Sequence, residues 1–204
     1  MIGIVNYQLG NMHAFLNIYK QLNIHAEIVS SPQELRRAEK IILPGVGAFD
    51  WAMTRLNESG LRDTLEDMVI GECRPVLGIC VGMQMMADRS DEGRLQGLSW
   101  IGADVKKFDR KEFLQKAQLP HMGWNDVIPQ GDSGLFRDFD SDARFYFLHS
   151  YYLTPHNPDH ALAVTDYGCS FASSVRRDNV FGVQFHPEKS HEWGIQLLKN
   201  FAEI

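Results

Sequence analysis

The chain has 204 residues, a formal net charge of −6 and 44% hydrophobic residues. That is enough apolar material to bury the core of one compact unit spanning residues 1–204. An acidic balance with no Lys/Arg run argues against nucleic acid as a partner, and no apolar stretch approaches the roughly 18 residues that a membrane span needs. The opening MIGIVNYQLG lacks the basic and long apolar regions of a secretory leader, and Cys73, Cys80 and Cys169 form an odd, low cysteine count. Both features suit a reducing, cytoplasmic setting in which disulfides are rare.

Ile2 to Asn6 is a short apolar run closed by turn residues, which predicts a buried strand. Asn11 to Leu22 carries Met12, Phe15, Leu16 and Tyr19, the stripe of an amphipathic helix. AEIV predicts a second strand, and Ser31-Pro32-Gln33-Glu34 has the serine cap, early proline and closing glutamate of a helix start. KIILPG predicts a third strand stopping at Pro44. Helical patterns follow over Phe49 to Asn57 and Leu61 to Ile70, broken at Gly60. PVLGIC predicts a fourth strand, with a helix from Val81 onward. Alternation of strands and helices implies parallel pairing in a sheet covered on both faces. The second half changes character: RFYFLHSYYL, ALAVTDYG, FASSVRR and VFGVQFHP are joined by short turns such as Asp178-Asn179, so antiparallel pairing enters there. His191 to Glu203 predicts a last amphipathic helix, packing some combination of Trp193, Ile195, Leu198 and Phe201. The fold class is α/β, with a mixed, mostly parallel sheet flanked by helices. In such sheets sites gather at the carboxyl ends of strands. Three predicted strands end in unusual chemistry: Pro44-Gly45-Val46-Gly47, Cys80, and His186-Pro187-Glu188.

Gly78-Ile79-Cys80-Val81-Gly82 has the spacing of a nucleophile elbow with cysteine in the nucleophile's place. Glycines allow a tight strand-to-helix corner, and a helix N-terminus favours the reactive thiolate. The amide of Val81 would meet an oxyanion. Taken alone, Cys80 reads equally well as a buried structural thiol. A thiolate needs a base, and His186 with Glu188 two residues on has the makings of a base and its orienter. By itself, His-Pro-Glu at a strand end is more often a turn. The Pro44–Gly47 loop offers backbone amides to a substrate oxygen, but lacks the ending of a phosphate loop. Metal-ligand spacing is missing, so neither zinc nor any other cofactor is expected.

The segments LPGVGAF, GICVGMQMM, LPHMGWND, YFLHSYY and GVQFHPEKS, in that order, resemble class I (triad) glutamine amidotransferases over nearly the whole chain. Within that family the closest resemblance is to the glutaminase subunit of imidazole glycerol phosphate synthase. The resemblance implies a flavodoxin-like glutamine amidotransferase fold and glutamine as substrate. It implies Cys80 as nucleophile, His186 as base and Glu188 as its orienter. Val81, Val46 and Gly47 would supply the oxyanion hole, and Gln84, Ser150 and Tyr151 would contact the substrate. It further implies a (β/α)8-barrel cyclase as partner in a heterodimer, with Asn11, Met122, Trp124 and Lys189 near the docking face. Such a partner receives the ammonia in histidine biosynthesis. The family usually reads Asp-Tyr-Gly-x-Gly-Asn after the first strand, whereas this chain reads Asn6-Tyr7-Gln8-Leu9-Gly10-Asn11. That departure opens a second reading, a paralogue feeding ammonia to a different barrel, for instance in amidating a cell-surface sugar. Rivals from other classes are a cysteine hydrolase on the same fold and a silent binding protein.

Overall fold

In a computed structural model the described residues are 1–109, 111, 118–131, 133–139 and 142–204. The first strand, β1 (Ile2–Val5), leads through Asn11, whose side chain accepts the Ala14 N–H, into α1 (Met12–Gln21). Strand β2 (Ala26–Val29) follows. The short helix α2 (Pro32–Leu35) has the reciprocal cap that its sequence predicts: Ser31 Oγ accepts the Glu34 N–H, and the Glu34 carboxylate accepts the Ser31 N–H. Strand β3 (Lys40–Gly45) and helix α3 (Phe49–Glu58) come next. The following helical stretch departs from expectation. It is regular only over α4 (Arg62–Glu66), then widens into a π-helical turn over Asp67–Gly71.

Strand β4 (Val76–Cys80) ends at the elbow, and the helix after it, α5 (Val81–Gln84), is a single turn rather than the longer helix expected. The carbonyls that would continue it are taken by other donors. Met85, Met86 and Ala87 accept N–H groups from Leu98, Ile101 and Ser99, so the chain leaves into β5 (Arg89–Ser90) and β6 (Ala103–Lys107). Strands β7 (His121–Asp126) and β8 (Ile128–Pro129) precede the run RFYFLHSYYL at 144–153, which reads as one segment in sequence. In the structure it is two. β9 (Arg144–His149) pairs with β7, and β10 (Tyr151–Pro155) pairs with β6, with Ser150 as the break between two different sheets. Strands β11 (Ala161–Asp166), β12 (Ser170–Arg177) and β13 (Val180–Val183) complete the set before α6 (His191–Glu203). Helix α6 buries Leu197, Leu198 and Phe201, while Trp193 packs only partly against the core.

The large sheet has the order β2-β1-β3-β4-β13-β12-β11-β8. Every pair from β2 to β13 is parallel, and the pairs beyond β13 are antiparallel. The parallel strands are apolar without alternation, as strands covered on both faces must be: Ile41, Ile42, Leu43, Val76, Leu77 and Ile79 are all buried. The order places β3, β4 and β13 side by side, so their carboxyl ends open on one spot. Among the described residues no helix is long and apolar enough to cross a membrane.

Candidate active site

Cys80 closes β4 with φ 55° and ψ −112°, a region that side-chain-bearing residues avoid. The positive φ therefore falls on the cysteine itself and not on its flanking glycines. Gly82 serves close approach instead, because a Cβ there would lie 2.0 Å from the Leu43 carbonyl oxygen. The first turn of α5 thus rides directly on the end of β3. The corner lifts Cys80 into a cavity of about 300 Å³, leaving it 4% exposed. A one-turn helix carries little macrodipole, so the charge that favours a thiolate has to come from a neighbouring side chain.

That neighbour is His186. It lies beyond β13 rather than at the strand's end as its sequence suggests, after a bend at Gln184–Phe185, with its backbone fixed at both sides. Its N–H donates to the Tyr146 carbonyl at 2.8 Å, and its carbonyl accepts the Ser190 hydroxyl at 2.6 Å. The imidazole hydrogen-bonds to Cys80 on one side, and its Nδ1 lies 2.9 Å from Glu188 Oε1 on the other. Burial lowers the His186 pKa, but the hydrogen bonds to Cys80 and Glu188, with their negative charges, outweigh it and push the value up to about 10. The protonated ring is therefore the favoured state of His186 near neutral pH. The Glu188 side chain is 6% exposed and lies behind the imidazole.

Nine of the candidate residues line this one cavity: Cys80, Val81, Val46, Gly47, Gln84, Ser150, Tyr151, His186 and Lys189. Among the described residues, no acceptor pairs with the backbone N–H of Val46, Gly47 or Val81. Gly47 holds φ +90° with open space where a side chain would be. Gln84 is buried, being 3% exposed. Three candidates lie elsewhere. Asn11 is engaged as the cap of α1, while Met122 and Trp124, 62% and 39% exposed, sit on the β7–β9 ribbon. Leu148 on β9 joins that exposed apolar face and also lines the cavity.

Sequence reading missed three residues. Glu92 lines the cavity, and its Oε2 accepts the Phe49 N–H at 2.8 Å, capping α3 where Ala48 offers no side-chain cap. Tyr7, fully buried, donates its hydroxyl to the Pro44 carbonyl at 2.6 Å and so ties down the start of the Val46–Gly47 loop. Burial, then the charge of Cys80, raise the Tyr7 pKa, so its hydroxyl stays protonated. Gln184 touches the Cys80 sulfur. Only Gln184 carried a signal, since it lies two residues before His186 in the run VFGVQFHP, which reads as a strand with alternating faces.

The glutamine amidotransferase class-I family matches residues 4–204. The chain belongs to the class-I glutamine amidotransferases. It is 56% identical over 204 residues to the imidazole glycerol phosphate synthase subunit HisH of Bdellovibrio bacteriovorus, and 48% identical over 204 residues to that of Leptospira interrogans, covering 100% of both chains in each case. A protein of Pseudomonas aeruginosa named imidazole glycerol phosphate synthase subunit HisH 2 is 46% identical over 204 residues, again with 100% of each chain covered. Among solved structures, PurLQS from Thermotoga maritima superimposes with a TM-score of 0.74 at 16% identity, covering 99% of this chain and 97% of that one. A putative GMP synthase subunit from Thermoplasma acidophilum gives 0.72 at 21%, covering 99% and 92%. At those identities the superpositions speak for the class-I amidotransferase fold alone.

Proposed function

We propose that the chain is the glutaminase subunit of an imidazole glycerol phosphate synthase, and that Cys80, His186 and Glu188 are its catalytic triad. The observation that carries the reading is the hydrogen-bonded series Cys80–His186–Glu188 at a strained elbow inside a cavity of amino-acid size. The thiolate of Cys80 attacks the side-chain amide carbon of glutamine. The carbonyl oxygen becomes an oxyanion, held by the unpaired N–H groups of Val81 and of the Val46–Gly47 loop. His186 gives its proton to the departing nitrogen, and ammonia leaves. The γ-glutamyl thioester is then attacked by water, whose proton His186 removes, and glutamate departs as the thiolate reforms. Glu188 keeps the imidazole's Nδ1 protonated and aims Nε2 at the sulfur. Glu92 on the cavity wall suits the substrate's ammonium group, and Ser150 and Tyr151 suit its amino-acid end.

The exposed face of Met122, Trp124 and Leu148 beside the cavity is the surface we assign to the partner, a (β/α)8-barrel cyclase, with Lys189 at its rim. Asn11 remains a candidate for the same surface. The changed Asn6–Asn11 loop favours a second reading, in which the ammonia goes to another barrel. Mixing the chain with a histidine-pathway cyclase, its nucleotide substrate and glutamine separates the two. Imidazole glycerol phosphate formed at a rate near that with ammonium salts supports the cyclase. Complex formation with a different barrel, and none with the cyclase, supports the paralogue.

A further inference from the structure

Behind the candidate nucleophile two buried glutamines touch each other, and the triad chemistry uses neither contact. Gln184 is fully buried, and its Nε2 lies 3.7 Å from Cys80 Sγ. Gln84 directs its Nε2 to the Tyr151 carbonyl at 3.1 Å and to Gln184 Oε1 at 3.0 Å. An amide can be turned end for end with little change of shape, so something has to decide which end meets the sulfur. The Tyr151 carbonyl decides it. A carbonyl oxygen only accepts, so Gln84 must aim its NH2 group there. The second hydrogen of that group points at Gln184, which must answer with its oxygen. The NH2 group of Gln184 is then left for the sulfur.

The same carbonyl is approached from the other side with the same logic. His149 Nδ1 donates to it at 2.8 Å, so the neutral ring offers Nε2 as acceptor to His121 Nδ1 at 3.0 Å. His121 Nε2 in turn accepts from Asn125, 3.3 Å away on β7, and Asn125 also donates to the Asp166 carbonyl at 2.8 Å. Every joint has a compatible sense, and none needs a charged histidine. Burial, aided at His149 by the neighbouring His121, pushes these rings down to about 4 for His121 and about 3 for His149, so both are neutral near pH 7.

We propose that Gln184 is a positioning residue for the nucleophile, its amide N–H holding the Cys80 sulfur as a thiolate while Gln84 and the Tyr151 carbonyl lock that amide in its donating orientation. The inference rests on the reading of Cys80 as the nucleophile. An N–H aimed at sulfur stabilises the anion over the thiol, and at a fully buried side chain no water can replace it. The opposite orientation would set an amide oxygen against the thiolate. The lock also limits Gln84: with both Nε2 hydrogens taken, only its Oε1 is left for the cavity, so the substrate group that meets it must be a donor.

The charged and titratable groups around Cys80 are His186 with Glu188 behind it, Tyr7 below, Glu92 and Lys189 on the cavity wall, and neutral His149. Replacing a neutral amide leaves all of them in place. The test is the pH profile of Cys80 alkylation by iodoacetamide in the intact chain, read peptide by peptide, with exposed Cys73 as the internal reference. In Gln184→Met, which keeps length and loses the donor, the pH of half-maximal rate should rise by about one unit, with about a tenfold loss of rate at pH values well below the parental midpoint and no change at Cys73. Gln84→Met, which leaves Gln184 in place but unlocked, should shift the profile the same way by less. A parental Cys80 profile in Gln184→Met of unchanged thermal midpoint overturns the proposal. If that variant does not fold, a parental profile in Gln84→Met overturns it equally. A parent chain whose Cys80 reacts no faster than Cys73 at neutral pH defeats the nucleophile reading itself, and this inference with it.

Discussion

His186 and His149 are buried to nearly the same degree, 3% and 6% exposed, and lie on the wall of one cavity. Burial lowers the pKa of both, yet His186 ends near 10 and His149 near 3. Their partners make the difference. His186 stands between Glu188 and Cys80, whose hydrogen bonds and charge each favour a protonated ring. His149 stands between a carbonyl and a second imidazole, and the net effect of burial and the neighbouring ring is to keep it neutral. The molecule thus sets a proton-holding site beside a proton-refusing one, and only the first has a proton to give near neutral pH. His149 is left to orient hydrogen bonds.

The largest effect should come from removing the sulfur. Cys80→Ala should lower glutamine hydrolysis by about a millionfold, as losing a triad nucleophile does elsewhere, measured as glutamate release. An NMR titration of the same variant should find the His186 pKa well below its parental value, since one of its two anions has gone. Removing the other anion sharpens the point: Glu188→Gln should cost on the order of ten-thousandfold in rate and also lower the His186 pKa. A variant as active as the parent would mean that the carboxylate does not orient the ring.

The neutral pair makes a stability prediction with a definite sign. His121 and His149 have folded pKa values below the value near 6.5 of an unfolded imidazole. As pH falls below about 6.5 the unfolded chain therefore takes up protons that the folded chain refuses, and stability drops through the window down to about 4. Urea midpoints across that window should fall less steeply for His149→Gln than for the parent, although the variant starts lower at neutral pH for want of its ring contacts. Parallel slopes would contradict the assignment. His186 runs the other way. Its stabilisation is complete below about 6.5 and is lost as pH rises through about 10. The smallest effect on the chain itself belongs to Trp124→Ala. The ring is 39% exposed and stacks on His191 with centroids 5.1 Å apart, so thermal stability should change little, within about 1 kcal/mol. Affinity for the synthase partner should fall by about 2 kcal/mol or more if Trp124 anchors it.

Much of this was legible in the chain, wherever the signal was local. The capping box at Ser31–Glu34, the strand ending at Cys80 and the pair His186 and Glu188 are all written within a few residues. What escaped depends on distant partners. The single turn of α5 follows from N–H groups of Leu98, Ser99 and Ile101 that return across a loop. The split at Ser150 follows from two different pairing strands, β7 and β6, which no alternation within 144–153 could announce. Glu92 reaches the site through the Phe49 N–H, 43 residues away. Tyr7 was hidden among turn residues, its role set by a carbonyl at Pro44.

If Cys80 is the nucleophile, it must carry the glutamyl group. The most direct measurement incubates the intact chain with glutamine, quenches it in acid and searches the cysteine peptides by mass spectrometry. A γ-glutamyl thioester is expected on the Cys80 peptide, with none on those of Cys73 and Cys169, and no adduct or glutamate release in Cys80→Ala. Glutamate formed by Cys80→Ala within tenfold of the parental rate, or an adduct on another residue, would contradict that role.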